Sequence, residues 1–104
     1  MNILFFGIGQ FYRKRKSVWE NICSGDEVLG FVDNRAKEIG MFEGKPVYLP
    51  AEILSISFDA VILMSVSVIE MREQLLSLGV PSEKIYPELF NEAYPRMNLP
   101  LSAS

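Results

Sequence analysis

The residues with the clearest potential for chemistry lie in one glycine turn and at the end of one later apolar run. Gly7 and Gly9 follow the first apolar run of the chain, and Asp33 ends the second. In such a turn the first glycine permits a tight bend, and the second lets the backbone approach a pyrophosphate at a helix N-terminus. An acidic residue after the second strand can accept hydrogen bonds from ribose hydroxyls. The pattern therefore predicts a nucleotide site.

The glycine pattern is incomplete, so a second interpretation stays open. Tyr12 stands where G-x-G-x-x-G would have its third glycine, and we expect it to push helix and strand apart or to redirect a phosphate. The alternative is a tight strand-to-helix turn that holds no ligand. Asp33 and Asn34 likewise have an alternative, since Asx residues often only open a turn.

Polar residues near these positions complete the candidate site. Ser65 and Ser67 follow a later apolar run and could donate to a phosphate or a ribose, although Ser67 with Glu70 also matches a capping box. No catalytic residue and no metal ligand is assigned. The candidate binding residues are Gly7, Gly9, Gln10, Phe11, Asp33, Asn34 and Ser65.

The chain contains no histidine, which excludes several kinds of site. Imidazole triads and zinc sites that combine histidine with cysteine cannot form. Proton transfer would rest on Asp, Glu, Lys or Tyr. A dehydrogenase would also need a substrate domain, for which this chain has no room, so we do not expect catalysis by this chain alone.

Four basic residues, Arg13 to Lys16, follow the glycine turn. Cations near a helix N-terminus oppose the helix dipole, which an anionic ligand or an acidic partner would offset. Successive helical residues point about 100° apart, so at most one or two of them could reach a phosphate. The alternative is a solvated face whose long side chains cover part of the core.

Length, composition and charge point to one domain. The chain has 104 residues, of which 49% are hydrophobic, and a net charge of -3, which argues against nucleic acid as a partner. No apolar run approaches the roughly 18 residues that a membrane helix needs. The basic residues follow the first apolar run, which is the reverse of a secretory signal, and the single cysteine can form no internal disulfide. We expect a cytoplasmic protein without membrane insertion.

The apolar runs and their breaks predict an α/β fold, a Rossmann-like three-layer sandwich. The five predicted strands form a parallel sheet in the order 3-2-1-4-5, with the ligand where strands one and four diverge. We expect this domain over residues 1–87, a loop over 36–45, and a tail or linker over 88–104. The predicted strands are 2–6, 27–32, 45–48, 58–64 and 84–86, and the helices are 10–23, about 49–55 and 67–78.

These segments resemble the small Rossmann-like domain of bacterial surface-polysaccharide biosynthesis proteins. That domain occurs in nucleotide-sugar dehydratases and sugar acyltransferases, and related copies are fused to glycosyltransferases. The resemblance covers about residues 2–86. Its most specific parts are Gly30-Phe31-Val32-Asp33-Asn34 and Gly44-Lys45-Pro46-Val47-Tyr48.

The resemblance implies a module that binds a nucleotide-sugar or NAD(P) and serves a larger catalytic protein. In the acyltransferases the glycine turn and the acid after strand two hold the ligand, and these roles fall on Gly7, Gly9 and Asp33 here. This chain departs from the family at Gln10, Phe11 and Tyr12, where small residues are common. The alternative is an interaction domain without ligand that dimerises or regulates a fused enzyme.

Overall fold

A mixed sheet forms the centre of the protein, and the computed structural model describes residues 1–87. Its strands are β1 (Asn2–Phe6), β2 (Glu27–Val32), β3 (Met41–Phe42), β4 (Lys45–Tyr48), β5 (Ala60–Leu63) and β6 (Ile85–Pro87). The six strands lie in the order β3-β4-β2-β1-β5-β6. Every pairing is parallel except that of β3 with β4.

Helices connect the parallel strands. The α-helices are α1 (Gln10–Ile22), α2 (Ala36–Ile39) and α3 (Val68–Leu78), and 3-10 helices span Pro50–Ser55 and Ser82–Lys84. Gly79 ends α3 in the left-handed conformation with φ 101°, and its N–H donates to carbonyls of the last turn. The predicted stop at this glycine is confirmed, because glycine adopts this conformation without a steric penalty.

Both faces of the sheet are covered, and β1 shows how. Ile3 and Phe5 belong to a core that includes Tyr12 and Trp19 of α1. Leu4 and Phe6 belong to a second core, which includes Leu75 of α3. Successive strand residues point to opposite faces, so an uninterrupted apolar run suits a strand buried on both sides.

The prediction of a purely parallel sheet of five strands is wrong. Residues 36–45, predicted as a loop, form α2, β3 and the start of a hairpin with β4. The hairpin turn is Glu43-Gly44, and both residues have positive φ, 52° and 76°. Two-residue hairpin turns of this kind match the strand twist, but asparagine usually precedes the glycine. Because Glu43 stands where asparagine is usual, the sequence did not predict a hairpin here.

The hairpin also changes the position of β4. A proline such as Pro46 suits an edge strand because it has no N–H to donate. In the structure β4 lies between β2 and β3 instead. Without β3, the remaining strands lie in the predicted order, β4-β2-β1-β5-β6. The carboxyl ends of β2, β1 and β5 are therefore neighbours at one edge of the sheet. The predicted tail, 88–104, lies outside the described residues.

Candidate functional site

Gly7 shapes the turn between β1 and α1 for reasons of backbone geometry. Its φ is 108°, and a Cβ built on it would lie 2.7 Å from the carbonyl oxygen of Met64. Its N–H donates to the carbonyl of Val32 at 3.0 Å. A glycine is thus required here by the close approach of the chain after β5, whether or not a ligand binds.

Gly9 is different, because nothing in the described structure requires a glycine there. It precedes α1 in an extended conformation, with φ −86° and ψ −153°. A Cβ on Gly9 would meet nothing within 4 Å. Gln10 beside it is exposed, whereas Phe11 is half-buried and packs against the first core. The backbone at Gly9 and Gln10 is therefore open to an approaching group.

Asp33 lies at the end of β2, as predicted, but Arg35 holds its carboxylate. Oδ1 accepts from the backbone N–H of Arg35 at 2.8 Å and from its Nε at 3.1 Å, and Oδ2 accepts from Nη2 at 3.3 Å. Asp33 is only 8% exposed. The Asx turn that the sequence left open is present, and ribose hydroxyls would have to replace the guanidinium.

Asn34 and Ser65 are also bonded within the chain. The side-chain oxygen of Asn34 accepts from Nε2 of Gln74 in α3 at 2.9 Å. The Ser65 hydroxyl oxygen accepts from the N–H of Ser67 at 3.0 Å. Ser67 makes no side-chain capping bond at the start of α3, so the predicted capping box is wrong. Ser65 provides the local bond instead.

The predicted site residues thus meet at one edge of the sheet, and the open part of that edge is the start of α1. The first N–H groups of a helix have no acceptor within the helix and favour an anion. The first turn of α1 contains no acidic residue. Arg13 and Lys14 are exposed just beyond it. The arrangement can hold an anionic group such as a phosphate.

The sequence predicted that Tyr12 pushes α1 away from the sheet, but in the structure it packs between them. It is 5% exposed, and its ring meets Phe5 and Phe31 edge to face, with centroids 5.6 and 5.4 Å away. The ring fills the space between α1 and the sheet. A smaller residue would leave a gap there, so Tyr12 is part of the core.

The Tyr12 hydroxyl carries a polar contact that the sequence did not reveal. It donates to Oε1 of Glu43 at 3.1 Å, while Nζ of Lys16 donates to Oε2 of the same carboxylate at 2.9 Å. Tyr12 and Lys16 are one helical turn apart, which was visible in the sequence. Their common acceptor was not, because it lies 31 residues beyond Tyr12. We call these three residues the Glu43 clasp.

The clasp predicts a loss of stability at high pH. Burial, reinforced by the Glu43 carboxylate, raises the pKa of Tyr12 well above its ordinary value of 10.0. Above about pH 10 a tyrosine in the unfolded chain ionises while Tyr12 in the folded chain stays protonated, so the free energy of unfolding falls with rising pH. One proton corresponds to at most about 1.4 kcal/mol per pH unit.

Urea unfolding of the natural chain and of Tyr12→Phe, between about pH 8 and pH 11, measures this effect. The natural chain should lose more stability over this range than Tyr12→Phe, which retains Lys16 and Glu43. Equal losses would show that Tyr12 ionises alike in the folded and the unfolded chain.

Residues 1–87 contain no group of three or more His, Cys, Asp or Glu that could hold a metal ion. Within the same range, no helix has both the length and the apolar character to span a membrane.

One family model matches most of the described structure. Residues 1–86 match the model described as C2185-like, N-terminal. The comparison with curated proteins gives no match.

Proposed function

We propose that this chain, which belongs to the C2185-like N-terminal family, is a Rossmann-like module that binds a nucleotide or nucleotide-sugar. The ligand would lie at the carboxyl ends of β1, β2 and β5. We further propose that the module acts in the cytoplasm, within a larger enzyme of surface-polysaccharide synthesis. The polysaccharide context rests on the resemblance of the segments around Asp33 and Lys45.

The observation that carries the binding proposal is the open glycine at the start of α1. Neither the conformation nor the surroundings of Gly9 exclude a side chain. A glycine that the fold does not need is explained if a ligand approaches its backbone closely. The 13-residue helix α1 begins there, and its free N–H groups suit a phosphate.

Binding would also rearrange the contacts of Asp33. Ribose hydroxyls would take the place of the Arg35 guanidinium, while the Arg35 backbone N–H remains bonded to Oδ1. Arg35 is exposed and can swing toward solvent. Its released charge would then face the phosphates. Arg35 is therefore a competitor for Asp33 in the free protein and a phosphate contact in the complex.

The test is a titration of the chain with UDP- and CDP-sugars, NAD(H) and NADP(H), followed by calorimetry. Gly9→Val places a branched side chain where the phosphate would lie and should abolish binding without unfolding the domain. Asp33→Asn keeps an oxygen that can accept from the Arg35 N–H but removes the charge, and should weaken binding by about tenfold, or roughly 1.4 kcal/mol.

Ser24→Val, at the exposed opposite end of α1, is the matched control and should bind like the natural chain. If no ligand binds, or if Gly9→Val binds as tightly as Ser24→Val, the proposal is wrong.

An interaction domain without ligand is the second candidate. Val66 and Ile69 are 76% and 68% exposed beside Ser65, and large apolar side chains at such exposure favour a protein partner. The existing bonds of Asp33 and Asn34 point the same way. Sedimentation would then reveal a ligand-independent dimer that Ile69→Glu dissociates, together with no response to any nucleotide.

A further inference from the structure

The outer face of α3 carries a row of large apolar side chains that the fold leaves exposed. Ile69 is 68% exposed and Leu76 is 39% exposed. They are seven residues apart, which is close to two full helical turns, so their side chains point in directions only about 20° apart. Val66, just before the helix begins, is 76% exposed. Exposed apolar side chains that lie together mark an interaction surface.

The inner face of α3 already serves the fold. Leu75 is fully buried in the second core, and Val68 and Met71 pack against that core. Ile69 and Leu76 point away from these three residues, because they lie on the other side of the helix. They can reach the interior only if the helix rotates about its axis, so a partner outside the domain must cover them.

Two opposite charges flank the apolar row. Successive helical residues point about 100° apart, so Arg72 lies about 50° to one side of the line through Ile69 and Leu76. Glu73 lies about 50° to the other side of the same line. Neither residue forms a salt bridge within residues 1–87. We call Ile69, Arg72, Glu73 and Leu76 the α3 stripe, which has an apolar centre, a base along one side and an acid along the other.

The charges of the α3 stripe favour a second copy of the chain as the partner. Glu70 and Glu73 are exposed on this side of α3 and would repel an anionic lipid surface or a nucleic acid. A two-fold interface must be complementary to itself. A surface with a base on one side and an acid on the other meets that condition.

The same charges fix the direction of the pairing. When two α3 helices lie parallel about a two-fold axis, the Arg72 side of each helix faces the Glu73 side of the other. Two ion pairs then flank the contact of Ile69 with its copy and of Leu76 with its copy. An antiparallel pair would place acid against acid and base against base, which is unfavourable.

From these observations we propose that two copies of this chain associate through their α3 stripes, with the two helices parallel. The proposal rests on the second function above, the interaction domain, and specifies its surface, its partner and its orientation. It needs neither Gly9 nor Asp33, so it is independent of nucleotide binding. The 11-residue helix is about 16 Å long, so the contact is smaller than stable dimers have and the dimer should dissociate on dilution.

Sedimentation equilibrium of the full chain, from low micromolar to millimolar concentration, is the first measurement. The expected result is a reversible equilibrium between monomer and dimer. Leu76→Glu should raise the dissociation constant at least tenfold, because it places a charge in the apolar centre of the contact. Met41→Glu is the matched control, since Met41 is 59% exposed on β3 at the far edge of the sheet, and it should leave the equilibrium unchanged.

Charge exchange tests the two ion pairs. Arg72→Glu and Glu73→Arg should each weaken the dimer several-fold, because each places like charges beside one another on both sides of the contact. The double variant, Arg72→Glu with Glu73→Arg, restores both ion pairs and should associate like the natural chain. Circular dichroism of all variants verifies that they are folded.

Disulfide cross-linking tests the orientation. In a parallel pair, Ile69→Cys and Leu76→Cys should each cross-link to a copy of the same variant when air oxidises the thiols. Ser77→Cys is the matched control, because Ser77 is exposed on α3 but points about 90° away from the apolar row. It should not cross-link. Cys23 is common to all variants and is only 6% exposed.

Three results would overturn the proposal. The first is a chain that stays monomeric up to millimolar concentration, which would leave the α3 stripe to a different partner. The second is a dimer that folded Leu76→Glu does not weaken. The third is cross-linking only when Ile69→Cys and Leu76→Cys are mixed, which would show an antiparallel pair. Nucleotide binding by a monomeric chain would reject the pairing while the first proposed function stands.

Discussion

Replacing Gly7 with alanine is expected to lower the free energy of unfolding by about 3 kcal/mol. The residue has φ 108°, and the new Cβ would lie 2.7 Å from the Met64 carbonyl oxygen. This oxygen belongs to the backbone and not to the end of a flexible side chain, so β1 and the chain after β5 must separate. For a domain of this size the midpoint of thermal unfolding should fall by at least about 10 °C.

Gly9→Ala is the matched control for this prediction. It lies two positions along the same turn, has a negative φ and faces open space. Its stability should stay within about 0.5 kcal/mol of the natural chain. Urea unfolding of both variants decides the matter, and a loss at Gly9 as large as that at Gly7 would refute the distinction between them.

Replacing Gly30 with alanine is the second large effect, about 2–3 kcal/mol of lost stability. A Cβ there would lie 2.6 Å from the carbonyl oxygen of Pro46 and 3.0 Å from Cε2 of Tyr48. The tyrosine ring can shift, but the Pro46 carbonyl belongs to β4. The alanine should therefore push β4 away from β2.

Hydrogen exchange locates this damage. The N–H of Asp33 donates to the carbonyl of Tyr48 at 3.0 Å, and Val47 pairs with Phe31. In Gly30→Ala the Asp33 amide should exchange faster than in the natural chain, while the amides of β5 keep their protection relative to global unfolding. Unchanged stability, or faster exchange confined to β5, would show that β4 does not constrain Gly30.

The sequence predicted where in the fold the candidate residues lie, but not the contacts that they make. The sequence placed Gly7, Asp33 and Ser65 after successive apolar runs, and the parallel topology brings those ends to one edge. The sequence allowed two kinds of partner for the Asp33 carboxylate, which were ribose hydroxyls or the backbone of an Asx turn. The structure shows Arg35 on both carboxylate oxygens. Arg35 is a local partner, so the Asx turn is present in the free chain, while the ribose contact stays a prediction.

The sequence by itself determined the elements whose pattern is local. The bounds of β1, β2 and β4 agree with prediction, because continuous apolar runs between turn residues are read from neighbouring positions. The end of α3 at Gly79 follows from the same kind of local signal.

Only the tertiary structure decided the rest, because its contacts join residues that are far apart in the chain. Tyr12 is a core residue because its ring packs against Phe31, and its hydroxyl donates to Glu43, 31 positions away. Gly7 is required by Met64, and Asn34 is held by Gln74, 40 positions away. The Glu43-Gly44 turn has a weak local signal in the sequence, and the bonds that Glu43 accepts from Tyr12 and Lys16 of α1 hold it in place.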